Sequence, residues 1–215
     1  MSLELITAVA IGIGLAASTG FRVFVPMLVA AVAAKAGFMP LNESFQWLSS
    51  WTAIAIFGTA TVVEIIAYYI PVVDNLLDTV ATPLAVVAGT LLLTSVLPID
   101  SELMRWITGA AIGGGSAAVV QSGSALTRLT STKLTAGVGN PVVATVENVA
   151  ATGTSILSLI IPFFIVAIFL LLVIFIFTRL RKKLRRDKLR SEQNRSEQVR
   201  SEQVRSQQNN SRETR

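Results

Sequence analysis

Long apolar runs separated by short polar clusters make up most of the chain, and about 20 mainly apolar residues suffice to carry a helix across a bilayer. The clearest run is Ile160–Thr178 (IIPFFIVAIFLLLVIFIFT), followed at once by RLRKKLRRDKLR. Trp51–Ile70 and Thr79–Leu97 predict two more spans, flanking Pro71–Asp78 (PVVDNLLD), where a proline and two carboxylates form a polar hinge. Ile107–Val120 and Pro141–Leu159 are weaker and rich in Gly, Ala, Ser and Thr. Asn140-Pro141 predicts an N-cap followed by proline at the first helical position. The remaining span lies within Leu3–Ala34, interrupted at Ser18–Pro26 (STGFRVFVP). That interruption predicts a broken helix, with Ser18 or Thr19 capping its second half and Gly20 permitting the bend.

Part of this pattern occurs twice. Ile6–Ala17 reads ITAVAIGIGLAA and Ile107–Ala118 reads ITGAAIGGGSAA, identical at eight of twelve positions. Farther on, VVEIIA at 62–67 matches TVENVA at 145–150. Two related halves follow, about residues 3–98 and 105–178. Three spans in each half would give the halves opposite orientations, an inverted repeat. The recurrence also argues that the first segment belongs to the mature fold. A cleaved leader is further disfavoured by an n-region that carries Glu4 and no basic residue. The expected fold is an all-α integral membrane protein of about six transmembrane helices, arranged as two inverted three-helix repeats with some helices broken.

Composition supports this and adds orientation. The chain is 52% hydrophobic and only 14% charged, against about 25% charged in a soluble domain. From Arg179 to Arg215 thirteen basic residues face five acidic ones, a net +8, whereas residues 1–178 hold five basic and eight acidic groups, a net −3. A transmembrane domain, 1–178, is thus followed by a basic low-complexity tail, 179–215. The tail repeats RSEQN, RSEQV, RSEQV and RSQQN from Arg190 to Asn209, a composition expected to stay disordered. Its first residues, among them Arg181, Lys182, Lys183, Arg185 and Arg186, suit anionic lipid headgroups at about 1 kcal/mol each. The positive-inside rule places both termini in the cytoplasm and puts Arg128 and Lys133 in a cytoplasmic connection. The expected partners are the lipid bilayer and anionic headgroups, with self-association left open. Nucleic acid is not expected, because the basic run follows a span directly and lacks interleaved aromatics.

Without Cys or His there is no disulfide framework, no thiol nucleophile and no imidazole ligand. No metal site or cofactor is expected, and ion chemistry would rest on carboxylates and carbonyls. Enzymatic activity is not expected either, since an intramembrane enzyme here would need two aspartates on separate spans.

Glu64 is the sharpest candidate. It is fourteenth in Trp51–Ile70, about 5 Å from the middle of that segment at 1.5 Å per residue. An acidic residue there costs about 2.5–3.5 kcal/mol on insertion scales and marks either an ion path or a hydrogen bond to a neighbouring helix. Glu147 occupies the matching place in the second half, so a pseudo-two-fold axis would bring both carboxyls to one site near the midplane. Asp74 and Asp78, four residues apart, share a helix face and can join a cation site or simply cap a helix at the interface. Arg22 at the Ser18–Pro26 break can bind an anion, pair with Glu64 or extend to the interface. Gly12, Gly14, Gly109 and Gly113–Gly115 read first as close helix packing.

Gly14–Pro26 (GLAASTGFRVFVP) resembles the bacterial membrane-protein family catalogued as domain of unknown function 4126, supported more loosely by EIIAYYIPVVDNLLD at 64–78 and NPVVATVE at 140–147. The resemblance covers roughly residues 4–178 and implies a multi-pass bacterial cell-membrane protein with an all-helical fold; it supplies no activity and no functional residues. The function expected from the carboxylates is a small transporter or channel for a cation or protons, with Glu64 and Glu147 assisted by Asp74 and Asp78 and a path lined by Ser18, Thr19 and Arg22. The alternative is a non-transporting scaffold or assembly factor whose tail recruits lipid or protein.

Overall fold

A computed structural model describes residues 3–175 and 177–179, which contain helices and no strand. The chain divides into two compact units, Met1–Phe169 and Leu170–Arg215. Of the second, only the end of one apolar helix is described. The tail residues expected to meet lipid, Arg181, Lys182, Lys183, Arg185 and Arg186, lie outside the described residues, as does the expectation of disorder there.

The first apolar stretch forms two short helices, α1 (Leu3–Ser18) and α2 (Phe24–Lys35). The break therefore falls where the polar cluster predicted it. Its chemistry differs from the expectation, because Ser18 and Thr19 do not cap α2. Their hydroxyls turn back onto α1, to Gly14 O at 2.8 Å and Ala16 O at 2.7 Å, the local competition by which such residues end helices. Pro26 falls in the first turn of α2, where its missing N–H leaves no helical bond unmade.

A 3-10 turn, Glu43–Ser49, leads through a 61° bend into α3 (Trp51–Ala67). Ser50 caps α3 by accepting from Ala53 N at 3.0 Å. The segment expected to be a hinge is instead the opening of α4 (Pro71–Thr94). Pro71 suits the first helical position, and acidic residues suit a helix's first turns; the side chains of Asp74 and Asp78 lie outside the described residues. Next come α5 (Glu102–Thr108), a π-helical turn (Gly109–Gly114) and α6 (Gly115–Thr135), continuous over 34 residues. In α7 (Asn140–Ile160) Gly139 is the N-cap. Asn140 is instead the first helical residue, and its Nδ2 donates to Thr132 Oγ1 at 3.1 Å. The last described helix is α8 (Pro162–Arg179).

Three described helices are long and apolar enough to cross a membrane, Glu102–Thr135, Asn140–Ile160 and Pro162–Arg179, and the bent pair ending in α3 makes a fourth if counted as one span. Ile6–Ser18, Phe24–Lys35 and Thr79–Thr94 are apolar but shorter.

α4 packs on α1, the π-helical turn and α6, while α2 lies against α3 and α7. The α4 contact depends on glycine. A Cβ on Gly89 would sit 2.7 Å from the Gly113 carbonyl oxygen, so the two backbones touch, as small residues allow in membrane helices. Leu15, Ala30, Leu92, Leu93 and Ala117 are fully buried in the hydrophobic core.

Candidate functional site

The break between α1 and α2 organises the polar interior. Three consecutive residues, Arg22, Val23 and Phe24, hold both carboxylates that the sequence singles out. Arg22, only 1% exposed, reaches α7. Its Nη1 donates to Glu147 Oε2 at 2.9 Å, Nε to Asn148 Oδ1 at 2.6 Å and Nη2 to the Ala144 carbonyl at 3.2 Å. The next two backbone amides point elsewhere. Val23 N donates to Glu64 Oε1 at 2.8 Å and Phe24 N to Oε2 at 3.0 Å. Glu64, on α3, thereby supplies the anion that the start of α2 favours.

Glu147 is engaged from three sides. Besides Arg22 it accepts from Arg128 Nε at 3.0 Å, from Arg128 Nη2 and from the Ser124 hydroxyl. Ser124 and Arg128 are four residues apart and so present one face of α6. The Tyr68 ring, just past α3, lies 3.8 Å from the Arg22 guanidinium carbon and 4.1 Å from that of Arg128. Two guanidiniums and two carboxylates thus gather from four chain segments, and their formal charges cancel. Buried ion pairs survive when their lone pairs and protons are satisfied in this way.

Several expectations change at this point. Arg22 pairs with Glu147 rather than with Glu64. Arg128 is not in a connection between spans but within α6 and 4% exposed, because Glu147 compensates its charge. Ser18 and Thr19 are not among the described residues that line the opening beside Glu64. They join helices, Ser18 meeting the Thr154 hydroxyl at 2.9 Å and Thr19 the Ala85 carbonyl at 3.1 Å. Glu64 and Glu147 belong to one connected cluster, and of the two it is Glu64 that stands among the described residues lining the opening between α3 and α4. Arg128, Ser124, Tyr68 and Asn148 were not predicted. The available signal was Glu147 itself, an acidic residue in an apolar helix that needs a cationic partner.

The opening beside Glu64 is a cavity of about 590 Å³ between α3 and α4, with Thr59, Glu64 and Tyr68 in its lining and apolar side chains at its other described residues. Ile56 and Val63 on one wall and Val80 and Leu84 on the other are 42–60% exposed. The mouth is therefore greasy.

A family model described as a domain of unknown function (DUF4126) matches residues 9–182. Neither the curated proteins nor the solved structures yield a match.

Proposed function

The chain belongs to the family described as a domain of unknown function (DUF4126), and because that description assigns no activity we propose one from the site: a small membrane transporter or channel for a cation or protons, with Glu64 as the exchanging carboxylate. The observation that carries this is the double engagement of Glu64. Its oxygens hold the start of α2 while the same side chain faces the α3–α4 cavity. An ionised carboxylate accepts from both amides; a protonated one loses its charge and turns one oxygen into a donor. Each proton gained or lost therefore alters the grip of α3 on α2, and that links occupancy to conformation as transport requires. Glu147 has a positioning role here, since Arg22 and Arg128 already neutralise it. The same proposal includes six spans in two inverted halves, a bacterial cell membrane with both termini cytoplasmic, and Asp74 and Asp78 assisting on the cation path.

Purified full-length protein in liposomes loaded with a pH-sensitive dye should dissipate a proton gradient, and Glu64→Gln should abolish that flux. Equal flux from the parent and Glu64→Gln would dismiss the proposal. A second reading, a non-transporting scaffold, is favoured by the complete internal pairing of Arg22, Glu147 and Arg128. Deleting residues 190–215 separates the two, because a scaffold loses its cellular role while a transporter keeps its flux.

A further inference from the structure

We infer that the fissure between α3 and α4 is a binding site for a hydrophobic organic cation, which enters from the hydrocarbon side and displaces the proton of Glu64. This rests on the transport role proposed for that carboxylate and names its substrate class.

Four observations converge on it. First, the volume of about 590 Å³ falls within the range of small-molecule sites, about 300–1,000 Å³. Second, the walls are held by different partners: α3 packs on α2 and the 3-10 turn, whereas α4 packs on α1, the π-helical turn and α6. The gap is therefore set by the scaffold on either side and is not a seam that closes on itself. Third, the exposed mouth residues Ile56, Val63, Val80 and Leu84 are all apolar, so the entrance suits a molecule already dissolved in lipid. Fourth, Glu64 is the one charged residue among the described residues lining the cavity, and neither Arg22 nor Arg128 is in that lining. Both guanidiniums lie against the Tyr68 ring.

The charge balance then selects the sign of the ligand. With Glu64 ionised, the cluster of Arg22, Arg128, Glu64 and Glu147 sums to zero. A bound proton and a bound monovalent cation each raise it to +1, so one replaces the other without a change in buried charge. An anion entering alone would meet the Glu64 carboxylate directly. A small hydrated metal ion is poorly served, because hard cations need several oxygen ligands at once and the lining is overwhelmingly apolar. A cation that carries its own apolar surface fits both the walls and the floor.

The test uses full-length protein in detergent micelles and radiolabelled tetraphenylphosphonium, with tetraphenylborate as a size-matched anion. Saturable binding of one phosphonium per chain is expected, strengthening as pH rises and releasing about one proton where Glu64 is protonated. Glu64→Gln should weaken it by at least about tenfold, as should Val63→Trp, which fills the fissure without touching the charge; circular dichroism confirms that each variant is folded. Binding that neither substitution weakens, or tetraphenylborate bound as tightly as the phosphonium, overturns the site. If liposomes show proton flux dependent on Glu64 but no phosphonium binding, the substrate class falls and the transport role stands. If the phosphonium binds through Glu64 yet no flux or exchange occurs, the site stands and the transport role falls.

Discussion

Replacing Glu147 by Gln probes the polar joint most directly. The carboxylate accepts from Arg22 Nη1, from Arg128 Nε and Nη2 and from Ser124 Oγ. The carboxamide keeps one acceptor oxygen and turns an NH2 group toward guanidinium donors, so donor meets donor. The formal charge of the cluster goes from zero to +1 among side chains that are at most 5% exposed at the Glu147 pairs. Breaking a buried pair costs about 3–5 kcal/mol in soluble proteins, and an uncompensated Arg at a helix centre costs about 2.5–3.5 kcal/mol on insertion scales. The two ranges overlap near 3 kcal/mol. At about 2–4 °C per kcal/mol for a chain of this size, the melting temperature should drop by about 6–12 °C. Thermal unfolding in detergent, followed by the fluorescence of Trp47, Trp51 and Trp106, measures it. Adding Arg128→Gln restores neutrality and should recover part of the loss, with a coupling of about 1–3 kcal/mol in the double-mutant cycle. A Glu147→Gln melting point within about 1 °C of the parent, or no recovery in the double variant, would refute the electrostatic account of the joint.

Three further outcomes follow from packing and capping. A Cβ at Gly20 would lie 2.5 Å from Val120 Cβ and 2.6 Å from the Ala117 carbonyl oxygen, so Gly20→Ala should destabilise by about 1–3 kcal/mol. Gly115→Ala, where nothing lies within 4 Å, should be neutral or stabilising in the same melt. Asn42 Nδ2 donates to Thr94 O at 2.9 Å and Leu97 O at 3.0 Å, covering carbonyls at the end of α4; Asn42→Leu should cost about 1–3 kcal/mol and raise hydrogen exchange around residues 94–97.

The helices were legible because hydrophobicity is a local property of the chain. The apolar runs, the break at Ser18–Pro26 and the close-packed glycines all follow from neighbours within one or two turns. Pro71–Asp78 misled because proline and aspartate signal both a hinge and a helix start, and only tertiary context separates the two. At the site, the cost of burying charge exposes Glu64, Glu147 and Arg22 but not their partners. Whether Arg22 meets Glu64 or Glu147 depends on how α7 lies against the break, and no spacing in the sequence encodes that. Arg128 was hidden for the same reason: its polar neighbours read as a connection, and its compensating charge sits on the following helix.

The pairing of Arg22 with Glu147, 125 residues apart, has a consequence for biogenesis. At about 5–20 residues per second, α7 leaves the ribosome roughly 6–25 s after the break between α1 and α2. Throughout that interval the Arg22 guanidinium lacks the carboxylate it pairs with in the folded chain. The joint between the α1–α2 break and α7 can therefore close only after the chain has been made as far as Glu147. Fragments that stop before Glu147 would carry an orphaned arginine.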